Sequence, residues 1–254
     1  IMTYGGGATY QESLSITSGN IVLIGIDTPI LEGNGGNAVT VQGNGVALSI
    51  TDITLQNATE SGVNCSLNAK LWLRQENGSM TVQSNASGIN ADSCEVRVES
   101  TSINDNDGFT ANATGGINAN NCEVYIENAV IKENCTEGCT DDVGGIKLEG
   151  GSLEMNNTMV VKNGNDGRNT HGITLLSVPS ATLSYTTIVE NNTRTTDGND
   201  LYCNGSNVSL RNSIITMGLA LGVSSINCPG INASHNASDD LDIVGMNDNV
   251  NTGP

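Results

Sequence analysis

Aromatic side chains are nearly missing from this chain. Trp72, Phe109 and five tyrosines make up 3% of its 254 residues. A globular core of this length normally uses more of these bulky fillers, so a conventional rounded core is disfavoured. Basic residues are scarce too: nine Lys and Arg face 27 Asp and Glu, for a net charge of −18. Such a surface repels phosphate backbones and anionic lipid, which excludes nucleic-acid binding and electrostatic attachment to membranes. It suits a soluble extracellular protein, a cation-rich milieu or plain colloidal stability. Only two histidines occur, His171 and His235, and no paired Cys-x-x-Cys appears, which argues against a zinc site. No apolar run has membrane-spanning length, and no leader-type segment is visible. Because the chain starts Ile1-Met2-Thr3-Tyr4, a processed mature chain or a fragment is expected, and the missing leader does not point to the cytosol. Amphipathic helical stretches of 10 to 15 residues are absent as well, which excludes a βαβ fold.

What is present is a repeat. One or two glycines followed by a β-branched or leucyl residue restart at Val39, Val63, Ile89, Ile117, Ile146, Ile173 and Leu201. Successive differences are 24, 26, 28, 29, 27 and 28 residues. A steady period of this size, built of short strands, signals a stacked, quasi-one-dimensional architecture. Each period carries three strand-like pieces. One turn reads Gly116-Ile117-Asn118-Ala119, then Cys122-Glu123-Val124-Tyr125-Ile126, then Ala129-Val130-Ile131-Lys132-Glu133-Asn134. Side chains alternate in and out along each piece, with β-branched residues in the inward slots. Abundant glycine (31 residues) and asparagine are expected to form the tight, left-handed turns between pieces.

The sequence therefore predicts an all-β fold, a single-stranded right-handed parallel β-helix of about nine coils with three short strands per coil, on the order of 40 Å long. One domain is expected over 1–254: first coils over 1–34, regular coils over 35–230 and a polar C-terminal segment over 231–254. The glycine–Ile/Val starts, the coil length and the Asn-Ser/Thr-x-Ile third strands, with Asn212-Ser213-Ile214-Ile215 as another copy, resemble the pectin-lyase-like β-helix superfamily over roughly residues 5 to 230. That resemblance implies the fold and covers lyases, hydrolases, esterases, adhesins, tailspikes and non-catalytic surface proteins.

Seven cysteines fit the coil register. Cys94 and Cys122 each fall five residues after a start and are expected to bond, since stacked neighbours lie within disulfide range. Cys203–Cys228 and Cys135–Cys139 are the other expected pairs, with Cys65 left over; seven reduced core cysteines are the alternative. Asn-x-Ser/Thr sequons occur at Asn57, Asn64, Asn77, Asn85, Asn112, Asn134, Asn156, Asn191, Asn204, Asn207, Asn232 and Asn236, more than asparagine abundance alone explains. Covalent N-glycans at turns, together with the disulfides, point to an oxidising secretory route and an extracellular or cell-surface location.

Catalytic signals are sparse. The opening Ala8-Thr9-Tyr10-Gln11-Glu12 with Asn20-Ile21-Val22-Leu23-Ile24-Gly25 looks like the start of pectin methylesterases, but their later catalytic residues have no counterpart. Asp141, Asp142 and His171 resemble part of the polygalacturonase set, in which carboxylates and a histidine serve acid/base glycoside hydrolysis. The Asn-Thr-Asp and Arg-x-Lys elements are missing, so a solvated turn accounts for them better. Asp105 and Asp107 in Asn104-Asp105-Asn106-Asp107-Gly108 are calcium candidates, again against an ordinary acidic turn, because the first and last ligands of an EF-hand loop are replaced. No cofactor is otherwise expected. Trp72, flanked by Leu71 and Leu73, should face outward, where it would stack on a sugar or pack against a loop or neighbour. The expected function is a non-enzymatic, secreted or surface-exposed structural or adhesive glycoprotein that stacks head to tail with copies of itself into a filament, or forms one segment of a larger rod. A polysaccharide-degrading enzyme and a carbohydrate-binding module, each with extracellular polysaccharide as partner, are the alternatives.

Overall fold

The computed structural model describes residues 1–107, 115–136, 143–164, 171–191, 199–216, 225–238 and 248–251. Its strands form three parallel sheets of ten (sheet A), eleven (sheet B) and nine (sheet C) strands. The chain visits A, B and C in turn and then repeats, as in Glu123–Glu127, Val130–Lys132 and Val143–Glu149. Every described pairing is parallel and joins one coil to the next, the arrangement of a right-handed parallel β-helix.

The repeat explains this geometry. All seven restarts fall on one column of sheet C, paired Val39↔Val63↔Ile89↔Ile117↔Ile146↔Ile173↔Leu201. The regular region thus counts seven turns rather than about nine; further strands extend the sheets at both ends. Inside, the shaft is aliphatic: Leu55, Val82, Ile103, Ile131, Val160, Ile188 and Ile215 are each fully buried along sheet B. Because the inward slots hold mostly stacked Ile, Val and Leu, with smaller Ala and Cys and an occasional Met between them, little aromatic filler is needed, and each coil buries its apolar face against its neighbours.

Glycine and asparagine take left-handed backbone at many turns, as expected, among them Gly43, Gly150, Asn121, Asn128 and Asn157, but along the regular coils they have further duties. The left-handed position at the turn from sheet B to sheet C is held by Ser84, Asp105, Glu133, Lys162 and Glu190, none of them glycine. Such backbone costs roughly 1–2 kcal/mol per residue. The residue after each is Asn85, Asn106, Asn134, Asn163 and Asn191, which are all buried. Their amides form a continuous ladder. Asn106 Nδ2 donates to Val82 O (3.0 Å) and to Asn134 Oδ1 (2.9 Å); Asn134 Nδ2 donates to Ile103 O and Asn163 Oδ1 (both 2.9 Å). Each Oδ1 also accepts the backbone N–H of the preceding ladder asparagine, as in Asn106 N to Asn134 Oδ1 (3.2 Å). The ladder ends at Asp200, whose Oδ1 accepts from Asn191 Nδ2 at 2.7 Å and from its backbone N at 3.0 Å. The left-handed turn is thereby offset by satisfying otherwise buried backbone groups.

The glycines directly before five of the seven restarts, Gly62, Gly88, Gly116, Gly145 and Gly172, supply room. A Cβ on Gly116 would come within 2.5 Å of Gly145 O and 3.1 Å of Asn134 Nδ2; one on Gly145 would meet Gly172 O at 2.5 Å and Asn163 Nδ2 at 3.1 Å. The repeat is therefore one device in two parts: an asparagine that bonds across coils, and a glycine that lets it in.

Candidate functional site

Outward slots of the sheets are where chemistry can be displayed, and sheet A displays the richest set. On its strand Lys70–Arg74, Leu71 and Leu73 are buried while Trp72 lies between them on the outer face, as alternation requires. Register carries that slot across the coils as Val22↔Ser49↔Trp72↔Arg97↔Tyr125↔Glu154↔Thr182. Neighbouring strands stand about 4.8 Å apart, so Trp72 and Tyr125 are separated by two such steps.

Cations hold these rings. The Arg74 guanidinium lies 4.5 Å above the Trp72 ring and Arg97 lies 4.7 Å above Tyr125, contacts that stabilise by ~0.5–1 kcal/mol at exposed sites. Arg97 Nε also donates to Glu95 (2.8 Å), which takes Lys70 Nζ at 2.5 Å. These two cations, Lys70 first, keep the Glu95 carboxyl below its ordinary range despite partial burial. Arg74 pairs with Glu76 at 2.7 Å. Three of the chain's nine basic residues thus gather around one tryptophan, each already matched with an acid. Beside Trp72 the groove is apolar, with Val22, Ala47 and Leu48 among its walls; beside Tyr125 it turns polar, with Glu99, Glu127, Glu154 and Asn156. The Trp72 Nε1 atom is buried with no hydrogen-bond partner, a donor that costs free energy until an acceptor reaches it. Such a strip can stack on flat apolar faces and bond hydroxyls beside them.

The other candidates lie elsewhere. His171 is buried; its ring stacks on Tyr202 (4.7 Å between centroids, 9° between planes) and its Nδ1 accepts the Asn199 backbone N–H at 2.9 Å. That is the environment of a packing histidine. Asp141 and Asp142 fall outside the described residues. The two calcium candidates are engaged separately: Asp107 accepts from the backbone N and the Oγ1 of Thr136 one coil later, and Asp105 accepts from Asn104 Nδ2 at 2.6 Å. Among the described residues no three His, Cys, Asp or Glu side chains converge on a point that could hold a metal ion.

Cys203 and Cys228 are joined, their Cα atoms 4.4 Å apart. Cys135 is disulfide-bonded, and Cys139, its expected partner, lies outside the described residues. The expected Cys94–Cys122 bond is absent: both are free, and so is Cys65. Cys94 Sγ donates to Asp92 O (3.5 Å) and Cys122 Sγ to Asn120 O (3.2 Å), in each case two residues earlier. The two side chains are thus copies of one another displaced by one coil. They point in parallel, whereas a disulfide needs sulfurs that converge. Cys122 Sγ is further occupied by the Cys94 backbone N–H at 3.2 Å.

Sequons divide by the ladder. Asn85, Asn134 and Asn191 belong to it, and Asn236 belongs to a second one, donating to Leu210 O (3.1 Å) and Asn249 Oδ1 (3.0 Å); all four are buried. Asn57, Asn77, Asn204, Asn207 and Asn232 are exposed, Asn64 and Asn156 half-buried, and Asn112 lies outside the described residues. Part of the sequon excess therefore comes from packing. The ladder itself was legible as an asparagine three residues beyond each inward Ile or Val of the third strand, from Val82–Asn85 to Ile188–Asn191; the Trp72–Arg97–Tyr125 column was not, because register is needed to align it.

Compared with models of protein families, with curated proteins and with solved structures, the chain shows no significant match to any of them.

Proposed function

We propose that this chain is a non-enzymatic, extracellular or cell-surface glycoprotein of the pectin-lyase-like type with a structural and adhesive role, and that the outer face of sheet A is its adhesive face toward polysaccharide. The observation that carries the reading is the in-register column Trp72, Arg97 and Tyr125, two cation-backed rings two strand steps apart. An extended glycan laid along the helix axis would meet one ring, a row of hydrogen-bonding side chains and the second ring.

The test is retardation in gels containing soluble polysaccharides, neutral and acidic. Trp72→Ala and Tyr125→Ala are each expected to weaken binding about two- to tenfold, the scale of ~0.5–1.5 kcal/mol for a ring contact, while Tyr185→Ala, an exposed ring elsewhere, leaves it unchanged. Retardation untouched by both substitutions removes the sheet A site. Release of reducing ends by the wild-type chain overturns the non-enzymatic reading.

End-to-end assembly belongs to the same proposal. Among the described residues, strands Met2–Tyr4, Thr9–Gln11 and Leu14–Ile16 each pair on one side only, and sheet edges of this kind recruit other strands.

A further inference from the structure

The three free cysteines are not equivalent. Cys65 sits on the sheet C strand Ser61–Ser66 in the inward column Val41↔Cys65↔Ala91↔Ala119. Cys94 lies in the turn three residues after Ala91, one coil later. Small alanines beside Cys65 leave space that larger inward residues fill elsewhere in the column, as Leu148 and Leu175 do. Cys65 Sγ lies 3.8 Å from Ala69 O, the carbonyl that also takes the backbone N–H of Glu95, the residue after Cys94 (3.1 Å), so both cysteines border one carbonyl. From that position the Cys65 thiol can turn to Cys94 Sγ as donor, which favours the Cys94 thiolate. Cys122 Sγ accepts the Cys94 backbone N–H (3.2 Å), but its own thiol is turned to Asn120 O (3.2 Å), parallel to the Cys94 thiol.

We propose that Cys65 and Cys94 are an oxidisable pair that forms a disulfide across adjacent coils, with Cys122 remaining a thiol. The oxidant is a low-molecular-weight disulfide such as oxidised glutathione. Cys94 is the entry point: it is the more exposed of the pair, 5% against 0%, and donation from Cys65 favours its thiolate, whereas that same interaction, and then burial, push the Cys65 thiol up. Cys94 thiolate attacks one glutathione sulfur, forming a mixed disulfide and expelling one glutathione thiolate. Cys65 then loses its proton and attacks Cys94 Sγ, expelling the second. Two protein thiols become one disulfide, and the two electrons and two protons end on two glutathione thiols. Burial also pushes the Cys122 thiol up to about 11, so it contributes little thiolate near neutral pH.

The experiment equilibrates the full-length chain with oxidised glutathione, blocks remaining thiols by alkylation and maps non-reduced peptides by mass. A Cys65–Cys94 link is expected, with Cys122 alkylated only after unfolding. Cys122→Ala should keep the link; Cys65→Ala should leave Cys94 as a glutathione adduct. The intact Cys203–Cys228 bridge in the same map shows that the chain is folded and oxidised. A Cys94–Cys122 link, or Cys65 and Cys94 both recovered as thiols beside that intact bridge, overturns the proposal. The wild-type map decides the matter by itself should Cys65→Ala fail to fold.

Discussion

Asn163 shows how much one side chain can carry in this protein. Its Oδ1 accepts the backbone N–H and the Nδ2 of Asn134, and its own Nδ2 donates to Ile131 O and Asn191 Oδ1. Asn163→Ala strips partners from several buried groups at once, each costing about 1–3 kcal/mol when left unpaired. Denaturant titration should register a loss of ~3 kcal/mol or more; a change below about 1 kcal/mol would mean that water replaces the amide. The same bonding decides modification. A glycan is attached through Nδ2, the atom with which the ladder residues reach the neighbouring coil. In a secretory host, glycopeptide mapping of the folded protein should find sugar at exposed sequons such as Asn57, Asn77 and Asn204, and none at Asn85, Asn134, Asn191 or Asn236. A glycan on Asn134 in folded material would contradict the ladder. As sequence, all these sequons look alike, because the motif specifies an acceptor and says nothing of burial.

Within a single element, strand alternation was readable and cross-coil contact was not. The lysyl-leucyl-tryptophan stretch 70–74 announces its inward leucines, so the outward ring was expected; its partner Tyr125, 53 positions later, becomes a neighbour only through two successive pairings. The cysteines teach the same lesson in reverse. Equal spacing brought Cys94 and Cys122 into register, yet equal surroundings gave them equal side-chain directions, and parallel thiols do not bond. Glycine before the restart is a space requirement, so Gly116→Ala should cost about 1–3 kcal/mol through overpacking, seen as a lower thermal midpoint. No effect would show that Gly145 O can yield. The first coil has a pH signature. Burial, then the bond to Glu12 Oε1 (2.9 Å), pushes the Tyr4 phenol up to about 12 from 10.0. The neutral phenol is the form the fold prefers, so its contribution is whole below pH 10 and fades as pH rises towards about 12. Hydrogen exchange of strand 2–4 should accelerate over that window. Glu12→Gln should lower this pKa only in part, since burial is the larger cause.

At the scale of the whole molecule, seven regular turns at about 4.8 Å each make a shaft roughly 35 Å long, in which every coil leans on the next. Cooperativity is then a matter of nearest neighbours. On the outer side of the first described coil Met2 is exposed, and Ile26 is exposed in the turn that bonds back to Tyr4. If that edge takes up another coil, sedimentation should show mass rising with concentration, and Met2→Lys should suppress the rise, as charge does on natural edge strands. A constant single-chain mass across the concentration range would dismiss end-to-end stacking.

Sequence by itself determined the period, the three strands per turn and the aliphatic filling, because these follow from local alternation and from the spacing between glycine and its β-branched successor. Tertiary structure alone decided which like residues become partners. Asparagine can be a ladder rung or a surface acceptor, and cysteine a bridge or a buried thiol. The choice depends on side-chain direction across a gap between coils, and linear spacing carries no information about direction.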